Sequence, residues 1–286
     1  MGIISALISM FGWGTADFLA AKATRKAGDI LALFSMQIVG FLIALIYFFS
    51  RINTFDLSRL PKYLLLLAII GFLQIIAYLA YYIGLKKGTV SLVAPVGASW
   101  GIVTAILSII FLNEVLLGNQ ILAVILIAIG IILVSIDFGT FKSTKKVNLL
   151  IGIKEGIIAM LGWGVSMFLL VFTTDALGWF VPVLFFKIFG IGLLFLYMLK
   201  KRSFQKISIT KPVILLLVPI GILDIVAFFT YSLGINSLNA SMVAPVAASF
   251  PVVTIILARI FLKERLSIIQ TIGVVGIIAG LVIISL

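Results

Sequence analysis

Apolar residues occur along this chain in ten long runs that are separated by short polar segments. A helix that rises 1.5 Å per residue needs about 20 apolar residues to cross a hydrocarbon layer about 30 Å thick. The runs have this length, and they alternate too weakly to be strands of a membrane barrel. The pattern therefore predicts ten membrane-spanning α-helices, whose backbones satisfy their own hydrogen bonds. The predicted spans are residues 3–21, 31–50, 63–83, 90–112, 120–137, 150–172, 179–199, 213–235, 240–262 and 268–286.

The second half of the chain repeats the first half at an offset of 150 residues. The tripeptide Gly-Trp-Gly occurs at 12–14 and again at 162–164. Between 74–136 and 224–286, about 25 of 63 aligned positions are identical. A repeat of this length indicates two copies of one structural unit. Two bundles of membrane helices that face each other are a known way to build a transporter.

The charges of the loops indicate that the two copies cross the membrane in opposite orientations. Each half has five predicted helices, and because five is odd, equivalent helices run in opposite directions. In agreement, residues 22–26 after the first helix include three basic residues, whereas the equivalent residues 173–178 include none. We therefore predict an all-α integral membrane protein with ten transmembrane helices, arranged as two inverted five-helix repeats over residues 1–140 and 150–286.

The composition agrees with a protein that lies in lipid. The chain is 63% hydrophobic and 10% charged. Its net charge of +12 comes from bases in short loops, a pattern of topology control that does not suggest nucleic-acid binding. By these helix limits 16 basic residues lie on one side, and only Arg51, Arg59 and Lys62 lie on the other. The positive-inside rule places the basic loops in the cytoplasm and both termini outside, in a multi-pass protein of the cell membrane.

Three short motifs recur in both halves and resemble those of EamA-type domains. They are the Trp-Gly pair in the first helix, Ala-Pro near the start of the fourth helix, and Phe-Leu-(Asn/Lys)-Glu at its end. Two tandem copies resemble the drug/metabolite transporter superfamily. The resemblance implies a ten-helix secondary transporter that moves small polar metabolites, often by efflux and without ATP. It also implies a basic residue at Lys187, a pattern from which its counterpart Gln37 departs. Some eukaryotic relatives are placed with cytosolic termini, so the orientation stays open.

A few polar side chains lie deep inside the predicted spans. Lys187 and Asp224 lie near the middle of the seventh and eighth helices, Asp17 lies in the first, and Gln37 and Gln74 are repeat partners of Lys187 and Asp224. A charge at mid-bilayer costs about 2.5–3.5 kcal/mol, so it normally faces a cavity or a partner. We expect a central site for a polar or charged group, with Asp17 or Asp224 as a candidate for proton exchange. The alternative is that Lys187 and Asp224 form an ion pair that only fixes helix packing.

Aromatic residues share helix faces with these polar positions. Gln74, Tyr78 and Tyr81 are spaced i, i+4 and i+7, which places them on one face of the third helix. Such a face can line a pocket in which rings hold the apolar body of a substrate or a cation. The alternative is packing of the bundle interior, which is equally plausible for the two tryptophans. The candidate substrate-binding residues are Trp13, Asp17, Gln37, Gln74, Tyr78, Tyr81, Trp163, Lys187, Asp224, Phe228 and Tyr231.

The fourth and ninth helices carry small residues and prolines. Gly97 and Gly101 belong to a small-residue stripe that favours close helix packing, either between the halves or between two protomers. Pro95, Pro245 and Pro251 each remove a backbone N–H, and each is a candidate for a hinge or a static kink.

The leading hypothesis is a secondary active or facilitative transporter that exports or exchanges a small polar metabolite, amino-acid-like compound or drug by alternating access. A channel is disfavoured because no repeated ring of charges or carbonyls predicts a filter. An enzyme that modifies lipid is disfavoured because the chain has no cysteine and no histidine, which also removes the usual zinc ligands. We predict no metal and no cofactor. The expected partners are a small-molecule substrate and the lipid bilayer, with protons as a candidate coupling ion and a monomer or a homodimer both open.

Overall fold

The computed structural model describes residues 1–87, 90–135, 152–201, 211–263 and 267–285. Within these ranges the protein consists of α-helices and one 3₁₀ turn (Ile52–Thr54), without any β-strand. The helices are α1 (Gly2–Ala27), α2 (Asp29–Ser50), α3 (Leu60–Lys87), α4 (Val90–Ala98), α5 (Trp100–Phe111), α6 (Gly118–Ser135), α7 (Ile153–Leu177), α8 (Val181–Lys200), α9 (Lys211–Ile235), α10 (Ala240–Ala248), α11 (Phe250–Leu262) and α12 (Ile268–Ser285).

These helices supply ten membrane spans among the described residues, which confirms the prediction of a multi-pass membrane protein. Two of the spans are broken, because α4 and α5 form one span and α10 and α11 form another. The sequence predicted single spans at 90–112 and 240–262, with a hinge or a static kink at Pro95, Pro245 or Pro251. The structure interrupts them at Ser99 and at Ser249.

At the break the Ser99 side chain bonds to the backbone one turn earlier. The Ser99 hydroxyl donates to the Pro95 carbonyl at 2.8 Å, and the same carbonyl accepts from the Ser99 N–H at 3.1 Å. Such a bond from a serine to the carbonyl four residues earlier often bends a helix. The Ser249 hydroxyl donates to the Pro245 carbonyl in the same way, at 2.9 Å. Pro251 lies in the first turn of α11, where a missing N–H costs little.

The ends of α3 extend beyond the predicted span 63–83. Lys86 and Lys87 form its last turn, because lysine is a good helix former and a cation at a helix C-terminus is favourable. Helices α1 and α7 likewise extend past the predicted ends of 3–21 and 150–172.

The helix contacts are exchanged between the two repeats. Helix α1 packs on α9, and the equivalent α7 packs on α3. A Cβ atom built on Gly12 would lie 3.0 Å from the Ala227 Cβ, and one built on Gly162 would lie 3.0 Å from the Ala77 Cβ. Such reciprocal contacts relate the halves by a pseudo-two-fold axis, and five spans per half make them inverted repeats.

Polar contacts also connect the repeats. Thr104 Oγ1 donates to the Gly164 carbonyl and Thr254 Oγ1 donates to the Gly14 carbonyl, both at 2.9 Å. In addition, the Glu114 carboxylate accepts from the backbone N–H groups that begin α10, at 2.9 Å each. Glu114 therefore caps a helix of the other repeat.

Because the described residues form an even number of spans, α1 begins and α12 ends on the same side of the membrane, here called the terminal side. Helices α1, α3, α6, α8 and α11 end on the other side, called the basic side. The predicted boundary between repeats 1–140 and 150–286 falls within residues 136–151, which are outside the described residues. That division stays a prediction.

Candidate functional site

A cavity of about 1000 Å³ lies between the two repeats. Gly28, Lys86 and Lys201 line it, and all three are at helix ends on the basic side. The cavity therefore opens toward the basic side and extends inward to the middle of the bundle. Its volume is at the upper end of the range for small-molecule sites, about 300–1000 Å³.

Most of the candidate residues from the sequence meet in this cavity. Eight of the eleven line it: Trp13, Asp17, Gln74, Tyr78, Tyr81, Trp163, Asp224 and Phe228. The other three, Gln37, Lys187 and Tyr231, are not lining residues and are at most 4% exposed. The periodicity of the sequence placed the candidates on helices that surround the cavity. It did not determine which of these side chains reach the cavity surface and which are buried beside it.

Lys187 is held behind the wall by two polar partners. Its Nζ donates to Asp224 Oδ2 at 2.9 Å and to Gln37 Oε1 at 2.7 Å. The ammonium also lies 4.5 Å from the centre of the Phe228 ring. The side chains of Lys187 and Asp224 are each 1% exposed. The positive charge of Lys187 is therefore satisfied within the protein.

Asp17, unlike Lys187, lines the cavity. Its side chain is exposed although it lies within the first membrane span, nearer the basic side, and the space that it faces is the cavity. No hydrogen bond or ion pair involves its carboxylate among the described residues. Within the same ranges no group of three or more acidic side chains could hold a metal ion.

Gln74 is fixed at the cavity wall by Ser166. Gln74 Nε2 donates to Ser166 Oγ at 2.9 Å, and Ser166 Oγ donates to the Trp163 carbonyl at 2.9 Å. Gln74 Oε1 accepts no hydrogen bond from the described residues. The indole N–H of Trp13 likewise has no acceptor there.

Aromatic rings form two walls of the cavity. On one wall the Trp163 ring lies 5.1 Å from Tyr78 and 5.2 Å from Tyr81, measured between ring centres. On the other, the Trp13 ring lies 5.2 Å from Phe228 in an edge-to-face contact. The two tryptophans thus both pack in the bundle and line the cavity, the two roles that the sequence left open.

Three aromatic lining residues, Tyr82, Trp100 and Phe250, are not among the candidates from the sequence. Trp100 and Phe250 each follow directly after the helix break at Ser99 or Ser249, and both line the cavity. A signal was present, because both repeats have an aromatic residue at this equivalent position. Apolar periodicity does not show that these two aromatic residues follow a helix break and therefore face the cavity.

The small residues near the breaks allow close packing. A Cβ atom on Gly97 would lie 2.7 Å from the Tyr81 ring, and one on Gly101 would lie 2.5 Å from the Ala248 Cβ. Gly101 thus packs between the repeats, and Gly97 gives space to a ring of the cavity wall.

On the terminal side the space between the repeats is filled by aromatic rings. Phe180 is 1% exposed and stacks on Phe55 at 4.8 Å and on Phe229 at 4.9 Å between ring centres. We call this group the aromatic plug; its members are Tyr47, Phe48, Phe55, Trp179, Phe180 and Phe229. The cavity is therefore open on the basic side and closed on the terminal side.

A fold of two inverted repeats around a cavity is matched by known proteins. The profile of the EamA-like transporter family matches residues 1–136 and 150–286, and so covers both halves. The chain belongs to the EamA-like transporter family. EamA-like proteins are membrane transporters of the drug/metabolite transporter superfamily, so the resemblance seen in the sequence motifs is confirmed.

Two further similarities fit the EamA assignment. An uncharacterized protein of Methanocaldococcus jannaschii is 33% identical over 135 residues, which are 47% of this chain and 96% of that protein. Its length thus corresponds to about one EamA repeat. A solved crystal structure aligns with a TM-score of 0.77 at 15% identity, over 99% of this chain and 95% of the other. This second similarity shows a shared fold.

Proposed function

We propose that this EamA-family transporter is a secondary carrier, which moves a small organic molecule across the membrane by alternating access to the central cavity. The substrate enters from the basic side, where helix ends surround the opening, and meets the aromatic walls and Asp17 at the centre. The plug then opens while the basic side closes, and the substrate leaves on the terminal side. Export or exchange follows from the same cycle.

One observation carries this proposal: equivalent positions of the two repeats differ in exposure. Ala20, Ile30 and Tyr82 line the open cavity on the basic side. Their counterparts 150 residues along the chain lie on the terminal side and are at most 1% exposed; they are Leu170, Phe180 and Ser232. Because the repeats have related sequences, each can adopt the conformation of the other. The exchange opens the terminal side and closes the basic side.

Labelling of cysteines tests this carrier without knowledge of the substrate. The chain has no native cysteine, so Ala20→Cys and Ser232→Cys supply the only thiols. A membrane-impermeant maleimide should reach the thiol at position 20 from the basic side only. It should reach the thiol at position 232 slowly and from the terminal side only. In the double variant, a bulky maleimide at position 20 should prevent closure of the basic side and so suppress labelling at position 232.

Ser237→Cys is the matched control, since this exposed serine lies on the terminal side outside the plug. It should react equally with and without the adduct at position 20. A channel has both cavity thiols accessible at once, so an unchanged labelling rate at position 232 after modification of position 20 would exclude the carrier.

A further inference from the structure

We propose that the transported molecule carries a positive charge, as an amine or quaternary ammonium group on an apolar or aromatic body, and that Asp17 binds this charge. The inference rests on the proposed carrier function and names the class of substrate. It depends on which charges of the cavity are free and which are already paired.

Asp17 is a carboxylate of the cavity wall without a counter-ion among the described residues. Asp224 also lines the cavity, but its carboxylate is bound to Lys187 at 2.9 Å. An acidic side chain within the membrane is costly unless it faces a cavity or a partner, and a bound cation supplies that partner.

No free cation lies beside Asp17, within the described residues, to receive an anionic substrate. Lys187 is 2% exposed, and its ammonium already donates to both Asp224 and Gln37. Lys86 and Lys201 line the cavity only at its opening, and both are exposed. Neither lysine forms an ion pair with Asp17 among the described residues. The deep part of the described cavity therefore has an unpaired carboxylate and no unpaired cation.

The amide of Gln74 points to the same ligand chemistry. Ser166 uses its hydroxyl hydrogen on the Trp163 carbonyl, so its oxygen must accept from Gln74 Nε2. This fixes the orientation of the amide and leaves Gln74 Oε1, a buried atom next to the cavity, as an acceptor without a donor among the described residues. An ammonium supplies donors, whereas a carboxylate supplies only acceptors.

The aromatic walls complete a site for an organic cation. The rings of Tyr78 and Tyr81 lie within 5.2 Å of the Trp163 ring along one wall, and Trp13 and Phe228 form the other. Ring faces attract cations and ring surfaces bury apolar groups. Asp17 and Trp13 are one helical turn apart, so charge and body can be bound together.

A series of ligands of one shape tests the inference by isothermal titration calorimetry on the purified protein. The probes are 2-phenylethylamine and benzyltrimethylammonium as cations, 2-phenylethanol as a neutral analogue and phenylacetate as an anion. We expect the cations to bind at least about tenfold more tightly than the others, which corresponds to about 1.4 kcal/mol. Asp17→Asn should abolish this preference, and Asp17→Glu should keep much of it.

Asp175→Asn is the control, because it makes the same change at an exposed aspartate outside the cavity lining. It should keep the preference for cations, and thermal unfolding checks that each variant is folded. Equal or tighter binding of phenylacetate, an unchanged preference in Asp17→Asn, or no binding of either cation overturns the inference. Cysteine labelling needs no ligand, so if these results occur while the thiols at positions 20 and 232 still alternate, only the substrate class is wrong and the carrier stands.

Discussion

A charged lysine within a membrane span needs partners to offset its burial, and Lys187 has three of them. It has an ion pair with Asp224, a hydrogen bond to Gln37 and a ring contact with Phe228. The sequence identified these polar positions as a set, since charges within apolar spans stand out. It did not decide between a substrate site and a structural ion pair, because that depends on helix rotation. In the structure Lys187 is buried and paired with Asp224, whereas Asp17 is exposed to the cavity, and the role of each in substrate binding stays a prediction.

Removal of one partner from this pair should destabilise the protein strongly. Lys187→Met leaves the Asp224 carboxylate buried without its counter-ion, and loss of one partner of a buried pair costs about 3–5 kcal/mol. The double variant Lys187→Met/Asp224→Asn removes both charges and should recover much of the loss. Thermal unfolding in detergent measures the difference.

The control pair lies at the surface. Lys87 and Glu155 form an ion pair at 3.0 Å with side chains 58% and 20% exposed. Lys87→Met should cost at most about 1 kcal/mol, as for other exposed pairs. If Lys187→Met were no more harmful than Lys87→Met, the central pair would not hold the helices as described.

At the scale of helices, the sequence predicted the spans well and their interruptions poorly. Runs of about 20 apolar residues are unmistakable, and all ten predicted spans occur among the described residues. At the breaks, Ser99 and Ser249 donate their hydroxyls to the carbonyls of Pro95 and Pro245, a local contact that apolar periodicity does not report. These breaks matter, because they place Trp100 and Phe250 in the cavity wall.

Helices α5 and α10 of the two broken spans approach closely at Gly101, so one added methyl group there should lower the stability of the protein. In Gly101→Ala the new Cβ would lie 2.5 Å from the Ala248 Cβ and 2.7 Å from the Ala244 carbonyl oxygen, so α5 and α10 must separate. Overpacking of this kind costs about 1–3 kcal/mol. Gly192→Ala in α8 is the control, since nothing lies within 4 Å and alanine favours the helix by up to about 1 kcal/mol. Thermal unfolding that lowered the stability of both variants equally would contradict this packing.

At the scale of the whole molecule, the inverted repeat was evident from loop charges and from the 150-residue offset. The difference in conformation between the two repeats was not evident from the sequence, because the same sequence pattern is compatible with both conformations. At two equivalent positions an aromatic residue of the plug corresponds to an aliphatic residue or a methionine at the open mouth, so the two ends pack differently. Phe180 in the plug has Ile30 as its counterpart at the open mouth, and Phe48 has Met198.

Two equivalent distances report this asymmetry directly. Lys86 and Lys201 lie at the open mouth, and their counterparts Asn236 and Arg51 lie on the closed terminal side; all four are exposed. Spin labels on the cysteine pairs 86/201 and 51/236 allow electron–electron distance measurements in lipid nanodiscs, with no native thiol to remove.

Alternating access predicts that the two distances change in opposite directions. A population with a short 86/201 distance should have a long 51/236 distance, and a transported substrate should change the ratio of the two populations. If both distances stay fixed, or if both lengthen together, the two repeats do not exchange conformations and the carrier mechanism is contradicted.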